Sequence, residues 1–353
     1  ADVDRILDER GNPKGDGDKS KRRKRKHEYL VSWMDGAPPQ WVEAKHLLGT
    51  PALEDWENAD DDEPEVYDSK AEVQRKCKIL AQWLRDAKRP VFMLGAGISA
   101  PVLSTFRGKG GLWTRNPIWK APKRGLPQPT KAHRALVALE KAGHVYWCAS
   151  QNYDDISARS GFPTSKLSEL HGNIYVERCE RCLTEYHRSF EVPLPTSEDH
   201  ETGRLCDDNN CKGVLRDNIV HFGESLPWNA LKLANAKFVG SDLAVVLGSS
   251  LRVEPAASLP FKAKRRKKVH SGSAGRPKSV VVNLQKTPND DEADLVIHAT
   301  CDTVMNLVAQ EILSRGWDKG NRSKVSKSGG DKRVTVGKEK NGDGQSGKRK
   351  RRR

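Results

Sequence analysis

Four of the seven cysteines fall into two pairs, Cys179-x-x-Cys182 and Cys206-x4-Cys211, with 23 residues between them. Two such knuckles present four thiolates, which suits a tetrahedral zinc ion with no coordination position left for water. A closed site of that kind organises a small domain; the competing reading is four unrelated buried cysteines. A second group of residues begins where the apolar run Val91 to Leu94 meets Gly95-Ala96-Gly97. Glycines at the end of a strand let the backbone approach a pyrophosphate, and the amides of the following turn face the anion. The third glycine of the usual dinucleotide fingerprint is absent, and no acidic residue stands about twenty positions further on. A third group is Gln151-Asn152-Tyr153-Asp154, after an apolar stretch ending near Ala149, together with His171-Gly172-Asn173 just before the first cysteine pair. Polar side chains at the carboxyl ends of strands line the crevice where ligands sit in open α/β sheets. A histidine there can serve as general base because its pKa lies near working pH. Taken alone, each of these groups is more often turn chemistry or a hydrogen-bonded core histidine.

The elements that must carry these groups alternate between helix and strand. Val73, Cys77, Leu80 and Leu84 recur at helical spacing, and Pro90 then leads into the strand Val91 to Leu94. A helix over His133 to Ala142 and strands over Val145–Ala149, Asp242–Leu247 and Ser279–Asn283 continue the alternation. The pattern predicts a Rossmann-like, doubly wound parallel sheet with a small zinc-binding domain. Upstream, VDRILD (3–8) and EYLVSW (28–33) read as strands flanking a Gly- and Lys-rich excursion. Asp35-Gly36 supplies a turn before Gln40, Trp41 and Val42. Pro51 to Trp56 suits a short helix, and the acidic run Asp60 to Glu65 suits a linker.

At 353 residues the chain predicts about two domains plus tails. Lys and Arg total 62 against 47 Asp and Glu, a net charge of +15. Much of the excess lies in three runs, Lys21–Lys26, Lys262–Lys268 and Lys348–Arg353. Such runs fit nucleic acid, acidic chromatin surfaces or nuclear import, or else solvated tails. The absence of any run of about 18 apolar residues argues against a membrane-spanning protein, and no signal peptide is visible. The chain opens at Ala1, which leaves a removed leader open. An odd number of cysteines, four of them at metal spacing, fits a reducing compartment better than a disulfide framework.

Taken in order, GAGIS (95–99), FRG (106–108), GLWT, QNYD, RSGFP, ELHGN, the two cysteine pairs, LRDNIVHFGE, GSSL and VNL (282–284) resemble the sirtuins from about Ala71 to Trp317. LRDNIVHFGE, VVNLQKTPNDDEADLVIH and the basic terminus are similar to the nuclear and nucleolar, class IV-like branch. The resemblance implies a protein-lysine deacylase that consumes NAD and holds one structural zinc on Cys179, Cys182, Cys206 and Cys211. It implies that Gly95, Ala96, Gly97, Ser99, Phe106 and Arg107 hold the phosphates and nicotinamide ribose, and that Gln151, Asn152 and Asp154 line the nicotinamide pocket. Gly248, Ser249, Ser250, Asn283, Leu284 and Cys301 would surround the adenosine half. Val220, Phe222 and Gly223 would pair with an extended acyl-lysine peptide, by strand addition. His171 would be the catalytic base toward a ribose hydroxyl, with Asn152 beside it. Ile98 to Arg107 reads ISAPVLSTFR. Against the family that loop is one residue shorter, lacks Gly-Ile-Pro, and has Thr105 for Asp. Asp155 and Ser157 likewise replace the usual Gly and His.

VDRILDER, EYLVSWMDG and WVEAKHLL resemble chromodomains, particularly those of the chloroplast signal recognition particle subunit. In that family an aromatic cage grips methyl-lysine by cation–π attraction. Trp33 matches one cage position, but the first falls at Ala1 and the last near Gly36, which weighs against methyl-lysine binding. Tyr29, Trp33 and Trp41 as the core of a small barrel is the other reading. The expected boundaries are a chromodomain-like module over 1–57, an acidic linker over 58–70, a sirtuin-like domain over 71–317 with its zinc-binding part near 174–216, and a basic disordered tail over 318–353. The expected partners are acyl-lysine proteins, histones first, with nucleic acid or chromatin on the basic runs and no membrane. The expected location is the nucleus or nucleolus, with the chromodomain likeness pointing instead to the chloroplast. Protein mono-ADP-ribosyl transfer, and an NAD-sensing scaffold with poor turnover, are the alternatives carried forward.

Overall fold

The computed structural model describes residues 3–10, 28–33, 40–47, 64–107, 126–192, 200–221, 224–267, 276–313 and 333–334. Several sequence expectations lie outside them: the Asp35-Gly36 turn, the helix over Pro51–Trp56, the runs Lys21–Lys26 and Lys348–Arg353, the GLWT motif, and Phe222 and Gly223. The side chains of Tyr29 and Trp33 do so as well. At the N-terminal end β1 (Val3–Arg10), β2 (Glu28–Trp33) and β3 (Gln40–Glu43) form an antiparallel sheet in that order. Val31 and Leu47 are buried there.

Downstream, Ser69 accepts the amide of Glu72 and starts α1 (Lys70–Asp86), whose buried Val73, Cys77, Leu80, Ala81 and Leu84 make one apolar stripe. The helix stops before Pro90, which opens β4 (Pro90–Leu94). Thr130 caps α2 (Lys131–Lys141), and β5 (Trp147–Ser150), the one-turn α3 (Ile156–Arg159) and β6 (Leu167–Glu169) follow. After a four-strand insertion come α4 (Trp228–Val239), β11 (Leu243–Leu247), the short basic α5 (Lys262–Lys267), β12 (Lys278–Val282), β13 (Leu295–Ile297) and α6 (Cys301–Leu313).

The large sheet runs β13-β12-β11-β4-β5-β6 and every pairing is parallel. β4 and β11 are buried at all five positions. That is why they read as unbroken apolar runs and not as alternating ones. Successive side chains enter opposite layers. Phe92, Leu94, Val245, Leu247, Val280 and Val282 pack with α1, α2 and α6, while Val91, Met93, Ala244, Val246 and Val281 pack with Ala234 and Phe238 of α4 and with Leu251–Phe261. From β4 the chain builds outward through β5 and β6, then returns to β4's other side with β11. The order therefore reverses at β4, and ligands of open α/β sheets bind at such a reversal. No described helix is long and apolar enough to cross a membrane.

The insertion is a second compact unit over Tyr175–Asp217. It holds β7 (Val176–Cys179), β8 (Glu185–His187), β9 (Glu201–Leu205) and β10 (Val214–Asp217), with β14 (Arg333–Val334) beside β8 in an antiparallel sheet ordered β14-β8-β7-β10-β9. Three cysteines, Tyr186 and Leu215 make up its apolar cluster. So little apolar volume cannot alone stabilise a unit of this size.

Candidate active site and metal centre

The carboxyl ends of β4 and β11 meet glycine to glycine. A Cβ on Gly97 would lie 2.6 Å from Gly248 Cα, and one on Gly95 would lie 2.6 Å from Gly248 O and Ser249 Cα. Gly248 itself has φ +67°, where side chains are rarely tolerated. The amides of Gly97 and Gly95 donate to Gly248 O (2.8 Å) and Leu247 O (3.0 Å). The result is a side-chain-free cradle at the sheet's reversal point, and this is the feature a pyrophosphate requires. Ser99, buried at the following turn, donates to Asp154 Oδ2 at 2.6 Å.

The end of β5 supplies the next layer. Asn152 Nδ2 donates to Gly95 O (3.1 Å), Ser249 Oγ donates to Gln151 Oε1 (2.6 Å), and Asp154 Oδ1 accepts the amide of Ile156 (3.0 Å). Three separate strand ends are thereby tied together. Burial raises the Asp154 carboxyl above the ordinary carboxylate range, against the opposing bond from Ser99. The His171 ring nitrogen Nδ1 lies 2.7 Å from Gln151 O. A carbonyl only accepts, so Nδ1 carries the proton and Nε2 is left as the basic nitrogen when the ring is neutral. Burial lowers the His171 pKa, partly countered by the Gln151 bond, and so favours the neutral ring.

Phe106 and Tyr153 lie with ring centroids 6.3 Å apart, and Thr105 donates to Arg107 O within the same loop. Ser249 and Ser250 follow β11 directly. Asn283 and Leu284 follow β12, where Asn283 Nδ2 donates to Gln285 O and Leu284 O accepts the amide of Val66. Cys301 begins α6, and burial pushes its thiol up to about 12. The Val220 amide is already committed to His171 O at 3.1 Å. Among the described residues, then, the cradle, the Gln151–Asp154 turn and His171 come together directly, with Asn283, Leu284 and Cys301 at the ends of neighbouring elements.

Sequence reasoning passed over several supporting groups. Arg159 donates to Pro127 O and Asp154 O, Asn218 Oδ1 accepts the Asn173 amide, and Thr130 donates to Ile98 O while lying 2.8 Å from His133 Nδ1. Arg159 and Asn218 sat inside the RSGFP and LRDN motifs, but nothing in those motifs marked their distant partners, Pro127 at 32 positions and Asn173 at 45.

In the second unit, Cys179, Cys182, Cys206 and Cys211 place their sulfurs within 4.8 Å of one another. Cys179 and Cys211 are 3.6 Å apart, and Cys182 and Cys206 are 3.7 Å apart. A tetrahedron with zinc–sulfur bonds of about 2.3 Å has edges of about 3.8 Å, close to these two separations, so the four thiols could hold a zinc ion. Leu183 and Lys212 take left-handed turns one residue after each knuckle closes, and a Cβ on Gly213 would meet Cys179 Sγ at 2.7 Å. The hydroxyl and amide of Thr184 draw the Cys182 thiol down to about 6, toward the thiolate that binds metal.

A parallel sheet with a glycine cradle at its reversal point and a four-cysteine insertion defines a nucleotide-binding α/β protein with a structural metal centre. A family model described as the Sir2 family matches residues 117–255. The Drosophila melanogaster NAD-dependent protein deacetylase Sirt6 is 33% identical over 262 residues, covering 70% of this chain and 78% of that protein. Sirtuin-7 of Bos taurus is 40% identical over 264 residues, 70% of this chain and 62% of its own, and SRT1 of Oryza sativa subsp. indica is 38% identical over 248 residues, 69% and 49%. The chain thus spans about half to two thirds of the length of the latter relatives. A solved structure described as Sir2 with a p53 peptide and NAD+ shares 32% identity at a TM-score of 0.52, over 67% of this chain and 98% of that one. The chain belongs to the sirtuin family.

Proposed function

We propose that the chain is an NAD-dependent protein-lysine deacylase acting on acyl-lysine in histones or other nuclear proteins. The observation that carries this is His171, its Nδ1 on Gln151 O so that Nε2 is left as the basic nitrogen, held at the turn that also bonds to Gly95 and Ser249. NAD, when bound, would supply a ribose that the acyl oxygen attacks as nicotinamide departs, and one water completes the reaction, so that acyl-lysine, NAD and water give nicotinamide, free lysine and O-acyl-ADP-ribose. Gly95, Gly97 and Gly248 let the β4 and β11 loops close on each other at the sheet's reversal point, where the phosphates would lie, and Ser99, Gln151, Asn152 and Asp154 are pre-arranged by their mutual bonds around the nicotinamide end. His171 Nε2 takes the ribose hydroxyl proton; its lowered pKa favours the unprotonated nitrogen. The printed names of the rice, bovine and fly relatives, and the peptide and NAD+ in the related structure, support the reading.

The three-stranded sheet supports a chromodomain-like module over 1–57, with the catalytic part over 71–317, its zinc-binding portion at about 174–216 and a basic tail over 318–353. The likeness to sirtuin-7 and the basic runs support the nuclear, class IV-like branch and a chromatin location. The test is nicotinamide release from NAD with and without acyl-lysine histone peptides, in wild type and His171→Ala. Peptide-dependent release that falls at least about 100-fold in the variant is expected for loss of a general base. Acceptor proteins gaining ADP-ribose without losing acyl groups would replace this reading with mono-ADP-ribosyl transfer. NAD binding with no release in wild type would replace it with a sensor or scaffold, which Thr105 at the family's Asp position would then explain.

A further inference from the structure

The turn that carries Gln151, Asn152 and Asp154 ends on Asp155, at φ +58° and ψ 0°, in the left-handed region where glycine is the ordinary choice. Asp155 is also buried, with 6% of its surface exposed. A carboxylate in that position must be held by partners, and it is. Its Oδ1 accepts Asn173 Nδ2 at 2.7 Å, and its Oδ2 forms an ion pair with Arg159 Nε at 3.2 Å. Neither partner is incidental. Asn173, fully buried, lies two residues after His171, and its amide is fixed by Asn218 Oδ1 at 2.8 Å and its side chain by Glu169 at 2.9 Å. Arg159 also donates to Asp154 O and Pro127 O, both at 3.0 Å. The amide of Ile174 closes the same joint by donating to Tyr153 O at 3.0 Å.

From this geometry we infer that Asp155 is a positioning residue that clamps the Gln151–Asp155 turn to the His171–Asn173 turn and so holds the His171 Nδ1–H on Gln151 O. The backbone at this position would accept glycine without strain. An aspartate there accepts a left-handed conformation in exchange for two buried side-chain contacts between the turns that carry the base and its acceptor. Asn also tolerates the left-handed region and offers an oxygen to Asn173, but no charge to Arg159.

The inference rests on the deacylase reading for its kinetic arm only. In wild type, Asp155→Gly and Asp155→Asn, the ring nitrogens of His171 are observed by 15N NMR, and nicotinamide release is measured with an acetyl-lysine peptide. Wild type should hold the Nδ1–H tautomer. Asp155→Gly should shift the ring measurably toward Nε2–H and lower kcat at least about tenfold with KM for NAD changed less than threefold. Asp155→Asn should keep the tautomer and recover kcat to within about threefold of wild type. A role confined to stability would move the melting temperature and leave tautomer and kcat unchanged, and that result would overturn the clamp. So would Asn and Gly variants that behave alike. If wild type releases no nicotinamide, the deacylase reading falls while the tautomer shift still decides the clamp.

Discussion

Gly97, Gly248 and Gly143 separate two reasons for glycine that usually occur together. Gly143, in the turn after α2, has φ +86° and nothing within 4 Å of a built Cβ. Its change to alanine carries backbone strain alone, about 1–2 kcal/mol. Gly97 is not in the left-handed region, but a Cβ there would sit 2.6 Å from Gly248 Cα. Carbon atoms settle at about 3.5–4.0 Å, so the β4 and β11 loops must part by roughly 1 Å, an overpacking cost of about 1–3 kcal/mol. Gly248 combines both, with φ +67° and a Cβ 2.5 Å from Gly97 Cα, and the sum is about 2–5 kcal/mol. Urea denaturation of the three alanine variants measures these losses, and calorimetry with NAD measures the cradle. Gly143→Ala should bind NAD as wild type does; Gly97→Ala and Gly248→Ala should lose most of their affinity because the β4 and β11 loops, tied by the Gly95 and Gly97 amides, are forced apart at the site. Equal destabilisation of Gly248→Ala and Gly143→Ala, with NAD binding intact in both, would refute the close-approach argument.

Cys206→Ser should reduce bound zinc, measured by mass spectrometry of the metal, from one ion per chain to a small fraction, and should unfold the 175–217 unit as followed by hydrogen exchange. His133 is buried against Thr130 and its pKa falls to about 3, first through burial and then through Arg134 and Arg159. The unfolded chain therefore binds a proton that the folded one refuses, and stability should drop as pH falls from 6.5 toward about 3, with His133→Gln flattening that slope in acid unfolding. Lys264, in the central basic run, bonds to Asp294, Ser279 and the Glu292 carbonyl with only 9% of its side chain exposed, and Arg265 pairs with Glu292. Lys264→Gln should cost about 1–3 kcal/mol of stability and leave the salt dependence of nucleic-acid binding unchanged, whereas removing Lys348–Arg353 should weaken that binding.

The central basic run shows where charge counting stops being informative. Lys262–Lys268 looks like the other two runs in the sequence, yet Lys264 and Arg265 of α5 are spent on ion pairs with Asp294 and Glu292 within the fold. Whether a charge is available is decided by what packs beside it, and here the acidic partners Glu292 and Asp294 lie 27 to 30 residues away.

The sequence by itself determined the elements and their chemistry. Short apolar runs such as Val91–Leu94 pointed to buried strands, a stripe at helical spacing pointed to a helix facing a core, and cysteines at knuckle spacing pointed to a metal site. These patterns are local, because burial on one or both faces is written into the residue period. Only the tertiary structure decided which strand ends meet. It brought Gly97 onto Gly248 across about 150 positions, Ser249 onto Gln151, and Asp155 onto Asn173 and Arg159. Contacts between strand ends depend on the order of strands in the sheet, and that order is set by how the helices cover both faces, a property that no window of sequence contains.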